Sequence, residues 1–574
     1  MIQPNQTDMR KAASKLFSVR IALVAGLFAG VNFCAVAQEE KSGDKNELGN
    51  KEYIIVKDYK PILAESQKIS ETPDGDSVVS TPPVFNYNLR SQKLETPFEA
   101  ATIKAVKIKD ESLNKLYRSL LKLGIGNYST YNGELYIHSL RSKKGSLGLE
   151  LKHISGSPSL NGVGEGDFSN NSAAVEGKYF LENATLLGKI GYDRHVVHYY
   201  GYNSDKIILP KDKTRQLYST FGTDFRLNSR FTDAQHLQYN GRFAFSTTND
   251  LYDATENEFI VAAGAGKQKD NLFAALDLSF DYFKKTDGSF ALLTNTSNLS
   301  RNIVNIQPSV TFNKEKATLK VGLDLGIEKN QGTDLHLFPR AELTVPIAEH
   351  IVSIYANVDG AIRKNNYQTI LVENPFVSSA VKPINTIEKL NLRGGLRGNF
   401  SSTVSFDARV RYSSYSDMML FYNDSVYAEK FNVMFDDGNV LNLHAELGYR
   451  AGEKLNLSLH VDQYSYSMDL QLKAWHKPQS EVSLSARYNL RDKVVVKAEI
   501  FGYGKSYAYT YNTTEIIPKK LNSYADLNLG IEYRYSKILS GFVNFNNLGF
   551  TRYYQWNNYP SERFNILGGI MYSF

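Results

Sequence analysis

The sequence predicts an all-β protein: a transmembrane antiparallel β-barrel of about 22 strands, within a range of roughly 18 to 24, preceded by a short extended N-terminal arm. Three observations carry this. Apolar and polar residues alternate with period two from about Arg118 to the C-terminus. Tight polar turns alternate with longer stretches rich in aromatic residues, Gly and Asn. The chain also stops on an aromatic residue, Phe574, at the end of an alternating segment.

The N-terminus carries Arg10, Lys11, Lys15 and Arg20, then an apolar stretch from Ile21 to Phe33, then Ala35-Val36-Ala37 before Gln38. Basic, apolar and small-residue regions in that order are the layout of a secretory signal peptide, expected over residues 1–37. The apolar stretch is shorter than the ~20 residues a spanning helix needs, and Gly26, Gly30 and Asn32 interrupt it. Cys34 follows the bulky Phe33, a poor fit to a lipid-attachment site. It is the sole cysteine, so the processed chain offers neither a disulfide nor a thiolate metal site.

The formal net charge of +6 falls close to neutrality once the basic leader is removed, which excludes a nucleic-acid-binding composition. Tyr 37 and Phe 31 against Trp 2, with a mean hydropathy below zero, suit strands that are oily on one face only.

No later segment has the ~18 consecutive apolar residues of a spanning helix, so the membrane reading rests on alternation. Leu441, Leu443, Ala445, Leu447 and Tyr449 interleave with Asn442, His444, Glu446, Gly448 and Arg450. Leu455, Leu457, Leu459 and Val461 interleave with Asn456, Ser458, His460 and Asp462. Ala317 to Glu328, Val404 to Ser413, Glu481 to Asn489 and Ala525 to Tyr535 follow the same rule, each near the ~9 to 11 residues that cross a bilayer at a tilt. Successive side chains on a strand point to opposite faces. Leu443, Leu447, Leu457, Leu527 and Leu529 are therefore expected on the lipid face, and Asn528 in the lumen. The expected lumen lining is Lys320, Asp324, Asp407, Arg409, Arg411, His444, Glu446, Arg450, His460, Asp462, Asp526, Glu532 and Arg534. A soluble β-sandwich would also alternate, but this unbroken run with charges beside Gly on its wet faces suits a hydrated barrel interior better.

Tight turns fall around Lys143-Lys144-Gly145, Lys267 to Asp270, Asn313 to Lys316, Gly452 to Lys454 and Arg491 to Lys493. Longer connections are expected over Gly156 to Asn170, Asp287 to Arg301, Asn365 to Asn385, Ser413 to Asn439 and Tyr509 to Asn522. Barrels of outer membranes have short periplasmic turns and long surface loops. This implies an outer-membrane location, with the arm in the periplasm and the long loops at the cell surface. The last strand places Phe564, Ile566, Gly568, Ile570, Tyr572 and Phe574 on one face. Tyr572 and Phe574 form the terminal signal that such barrels present to their assembly machinery.

The stretch Asn546-Asn547-Leu548-Gly549-Phe550-Thr551-Arg552-Tyr553-Tyr554-Gln555-Trp556-Asn557-Asn558-Tyr559-Pro560, leading through Arg563 into the last strand, resembles the end of TonB-dependent receptor barrels. The resemblance implies energy-coupled uptake of a chelated nutrient. It also implies a plug domain much longer than the available arm, Gln38 to about Tyr117. That arm contains Pro61, Pro73, Pro82, Pro83 and Pro97 and no Gly-rich core, so no complete plug is expected. Within it, Glu52 followed by Tyr53, Ile54, Ile55, Val56 and Lys57 resembles the box that pairs with an energy-transducing periplasmic partner by adding a strand; a plain edge strand or linker is the alternative. Leu113, Leu116, Tyr117, Leu120 and Leu121 have helical spacing and predict a short helix at the barrel entrance.

No phosphate loop, nucleophile elbow or HExxH motif occurs. His195 and His198 are three apart on a strand and project to opposite faces, so they cannot share an ion. His444, Glu446, His460 and Asp462 read as a satisfied polar network. Neither catalytic residues nor a cofactor or metal is expected. Tyr553, Tyr554, Trp556 and Tyr559 could stack on a ligand or form an interfacial aromatic girdle. The reading is a barrel for passage or reception of small polar solutes, with lipid as its surroundings and no nucleic-acid partner. The alternatives are a non-transporting subunit of an outer-membrane complex and, behind it, an outer-membrane enzyme.

Overall fold

Alternation gives each strand one apolar and one polar face, but a flat sheet built this way leaves two unpaired edges, which hydrocarbon does not tolerate. The computed structural model resolves this by closure. It describes residues 117–574, apart from 141, 232, 234, 289–297, 315, 331, 349–350 and 512–514. The expected leader and arm, with Tyr53 to Val56, lie outside the described residues.

Twenty-two antiparallel strands run from Ser119–Gly126 to Asn565–Ser573, each paired with its neighbour in sequence. The first and last strands also pair, with Leu120 opposite Ser573 and Gly126 opposite Leu567, and this seam closes the barrel. The strand number is the one the alternation predicts. The helix expected over Leu113 to Leu121 does not extend to its last residues. Leu120 and Leu121 are strand, opposite Tyr136 and Leu135 on one side and Ser573 and Tyr572 on the other. Closing the seam satisfies main-chain groups on both flanks of these residues, which outweighs their helical spacing.

The outer surface carries the apolar parity. Leu319, Val321 and Leu323 are exposed on one strand, and Leu443, Leu447 and Tyr449 on another. The opposite parity faces inward, where Asp324, Glu328 and Asn442 are buried among polar neighbours.

The end where the first strand begins and the last strand finishes has mostly tight turns. Lys269 reaches Leu272 through Asp270 and Asn271 alone, with Asp270 at φ 53°. The Arg491-Asp492 turn has φ of 51° and 55°, the left-handed backbone that Asp and Gly tolerate best in such turns. The opposite end carries the long connections, with two corrections to the sequence reading. Ser413 to Asn439 is mostly not loop: strands Val404–Asn423 and Phe431–Ala451 stay paired out to Asn423 opposite Phe431. At 20 and 21 residues they are about twice the length that crosses a bilayer. Not every connection at that end is long, since Asn127 to Ser129 and Leu251 to Ala254 are tight.

Candidate functional site

At the end away from the start of Ser119–Gly126 and the finish of Asn565–Ser573, the barrel mouth is crossed by its own connections. The central piece is the segment between strands Val352–Arg363 and Thr386–Asn399, which folds inward and carries a short helix, Tyr367–Glu373. Asn366 caps that helix. Its side chain accepts the Thr369 N–H at 2.8 Å, and the Thr369 hydroxyl accepts the Asn366 N–H at 3.0 Å, a reciprocal capping box.

Wall residues hold the segment in place. Glu256 accepts the Tyr367 and Gln368 backbone N–H groups at 2.8 and 3.2 Å, meeting donors that the first helical turn leaves open. Glu258 pairs with Lys364 and accepts from the Asn366 amide at 3.2 Å. The Tyr367 hydroxyl donates to Asp250 at 2.8 Å, and burial raises its pKa well above the usual tyrosine value. Asn385 donates to Glu328 at 2.8 Å, and Lys285 to the Ser379 carbonyl at 2.8 Å. Glu388 binds both Arg363 and Arg411. Buried carboxylates and cations with this many partners fix a geometry, because removing one partner leaves an uncompensated charge.

Above these anchors lies an apolar core. Tyr367, Ile370, Val377 and Val381 pack with Tyr218, Ala254, Met419, Phe421, Phe431, Trp556 and Tyr559. Tyr218 and Phe421 sit on the sixth and fifteenth strands of the barrel, nearly opposite staves, yet both join this cluster. The cluster therefore spans the mouth. Tyr199 donates to the Val377 carbonyl at 2.9 Å, and Phe376 stacks on Tyr559 with ring centroids 3.9 Å apart. A second cluster, Leu420, Ala474 and Trp475, continues the cap toward the hairpin of strands Ser506–Tyr511 and Ile516–Leu521. Between the clusters, His476 is buried and its pKa is lowered to about 4 by desolvation. Beneath the helix a lumen recess of about 250 Å³ is lined by side chains of both signs, including Lys189, Asp193, Asp224, Arg242 and Glu258.

The residues expected in the lumen fall into three groups. Asp407, Arg409, Arg411, His444, Glu446, His460 and Asp462 share a patch across three adjacent strands, with Arg409 opposite His444 and Glu446 opposite His460. In it, Tyr355 donates to Asp407 at 2.9 Å, Arg411 meets Glu388 at 2.6 Å, and His444 meets Asp462 at 2.9 Å. Arg450 is on the same strand as His444 but near the terminus end, opposite Asn456. Asp526, Glu532 and Arg534 line another strand: Asp526 accepts the Gly549 N–H at 3.2 Å, and Arg534 pairs with Glu532 at 2.9 Å. Lys320 and Asp324 stand apart from both groups, Lys320 opposite Glu342 and Asp324 accepting from Gln307 at 2.6 Å. Tyr572 and Phe574 stack on each other at 5.7 Å and are exposed. His195 meets Asn170 and His198 meets Thr214, on opposite faces of their strand.

Trp556 and Tyr559 are neither a girdle nor free to stack on a ligand. Both are buried in the cap core, because the connection that carries them folds across the mouth. Tyr553 stacks on Tyr524 at 4.0 Å, and Tyr554 is exposed. The sequence reading missed the anchors Asp250, Glu256, Glu258, Lys285, Glu328 and Glu388. The closely spaced acids Glu256 and Glu258 on one strand face were the available signal.

No family model matches the chain, and no curated protein matches it. Solved structures do. The ferric enterobactin receptor PfeA of Pseudomonas aeruginosa, in a mutant form, aligns at 13% identity and TM-score 0.59, covering 79% of this chain and 80% of that one. The FrpB iron transporter of Neisseria meningitidis aligns at 11% identity and TM-score 0.62, over 80% and 82%. The siderophore receptor PirA of Acinetobacter baumannii aligns at 10% identity and TM-score 0.61, over 81% of each chain. The expected likeness to TonB-dependent receptor barrels is thus a likeness of fold.

Proposed function

We propose that the chain resides in an outer membrane, loop end outward, and acts in the reception and gated passage of small polar solutes. The observation that carries this is the position of the apolar cap: a packed cluster closes the mouth above a hydrated wall bearing both charge signs. A barrel of 22 strands is too wide for side chains alone to fill, so its permeability is set by whatever crosses the lumen. Among the described residues that element is the Lys364 to Asn385 segment, and mixed wall charge suits a polar passage without strong ion selectivity. The arm residues Tyr53, Ile54, Ile55 and Val56 are proposed to pair with a periplasmic partner strand, and Tyr572 and Phe574 to engage the barrel-assembly machinery.

The test is conductance in planar bilayers. The native chain should be closed or nearly so, and a variant in which residues 366–384 are replaced by a short Gly-Ser turn should conduct. A native chain that conducts as freely as the variant would remove the gating reading.

The scaffold reading is favoured by a different observation. Ile208, Val372, Leu470 and Val426 are 90%, 83%, 83% and 77% exposed on connections at the cap end. Aliphatic side chains displayed beyond the strands suit a surface that another protein covers. Silence of both chains in the bilayer, together with a stoichiometric partner in mild detergent, would select this reading.

A further inference from the structure

We propose that His444, His460 and Glu446 form a binding site for one divalent transition-metal ion of the zinc class in the barrel wall, with Asp462 and Ser458 orienting the two imidazoles. All five side chains lie on two neighbouring strands, Phe431–Ala451 and Leu455–Met468. Glu446 is directly opposite His460, and His444 directly opposite Asp462.

The tautomers follow from the partners. Nδ1 of His444 is 2.9 Å from Asp462 Oδ1, and a carboxylate only accepts, so the ring proton is on Nδ1. In the neutral ring Nε2 then carries the bare lone pair. That atom is buried without a hydrogen-bond partner, on a side chain only 7% exposed. A buried acceptor left unmet is costly, and its direction is informative: it faces Glu446 Oε2 at 4.0 Å. On the neighbouring strand Nε2 of His460 is 2.7 Å from Ser458 Oγ, which can accept a hydrogen bond from Nε2–H in the tautomer that leaves Nδ1 bare. That Nδ1 is 3.7 Å from the same Glu446 Oε2.

Two imidazole lone pairs thus converge on one carboxylate oxygen at separations too long for hydrogen bonds. They suit an ion between them, since ligand atoms about 2.0–2.1 Å from a tetrahedral zinc stand roughly 3.4 Å apart. Among the described residues no three such side chains already stand at ligating distance around a point. The remaining closure falls to Glu446, whose side chain is 44% exposed and has room to rotate, and to His460 at 39%. Asp462 behind His444 supplies the carboxylate-histidine support typical of metal-ligating imidazoles. Asp407 opposite Glu446 and Glu481 opposite Asp462 offset Arg409 opposite His444, so the local field does not repel a cation. Remaining coordination positions would open to lumen water.

The experiment uses the tag-free full chain, purified in detergent, stripped with chelator and titrated calorimetrically with zinc chloride. Expected is one saturable zinc per chain. His444→Ala and His460→Ala should each weaken binding at least tenfold, Asp462→Asn about tenfold, and His195→Ala not at all. Cupric ion at the site should show nitrogen couplings in its paramagnetic resonance spectrum that both histidine variants reduce. Heat-modifiable migration on SDS gels confirms that each variant is a folded barrel. Absence of stoichiometric zinc in the native chain, or equal affinity in a folded His444→Ala/His460→Ala double variant, overturns the proposal.

Discussion

The backbone N–H of Asn557 donates to Nε2 of His476 at 3.3 Å, joining the connection before the last strand to the one that carries Trp475. On the other side of the ring Nδ1–H donates to the Phe421 carbonyl at 3.1 Å. Both nitrogens are committed to backbone groups, which is possible only for the neutral imidazole, and Phe431 and Trp556 pack around it. The adjacent cation is engaged elsewhere, Lys477 with Glu373 at 2.6 Å.

The first prediction is that the cap loosens in acid. The folded pKa of His476 is lowered to about 4 from a usual value near 6.5, so its contribution is complete above pH 6.5 and is lost as pH falls toward 4. The full loss is on the order of 3 kcal/mol. The chain has two tryptophans, Trp475 and Trp556, and both are buried in the cap. Their fluorescence should shift to the red between pH 6.5 and 4 while barrel circular dichroism is unchanged, and His476→Gln should flatten that transition. An unshifted emission maximum down to pH 4 would refute it.

Removing the helix's buried face should open the mouth. Ile370 is fully buried in the cap core, and Ile370→Ala should cost the cap about 2–4 kcal/mol. Single-channel recordings should then show openings rare or missing in the native chain. Val372→Ala, on the exposed side of the same helix, should change nothing in the recordings.

Gly201 is required by close approach. A Cβ there would lie 2.3 Å from the Tyr559 ring, which is stacked on Phe376 and cannot withdraw. Gly201→Val should expose Trp556 to acrylamide quenching, whereas Gly162→Val, with open space around its Cβ position but a φ of 77°, should disturb only its own loop. Equal quenching in the two variants would show that the contact is dispensable.

The lipid face is tested by neighbours on one strand. Leu527→Arg should cost ~2 to 4 kcal/mol near the bilayer midplane, and Asn528→Arg far less, because Asn528 faces inward and reaches Glu499 at 3.3 Å. Urea unfolding in detergent micelles measures both, and similar losses would contradict the register.

The sequence by itself determined the barrel. Period-two alternation is a local property, so the apolar outer face through Leu443 and Leu457, the turns at Asp270 and Arg491-Asp492, the strand number and the aromatic pair Tyr572 and Phe574 at the last strand could all be read from neighbours in the chain. It also indicated which polar residues share a strand face, His444 with Glu446 and His460 with Asp462. Only the tertiary structure decided what crosses the lumen. Glu256 meets Tyr367, Tyr199 meets Val377 and His476 meets Asn557 between connections far apart in sequence, brought together when the seam between Ser119–Gly126 and Asn565–Ser573 closes the ring. Loop residues carry no periodicity, and the burial of Trp556 and Tyr559 depends on partners supplied by opposite staves. For that reason their place in a cap core was not legible in the sequence.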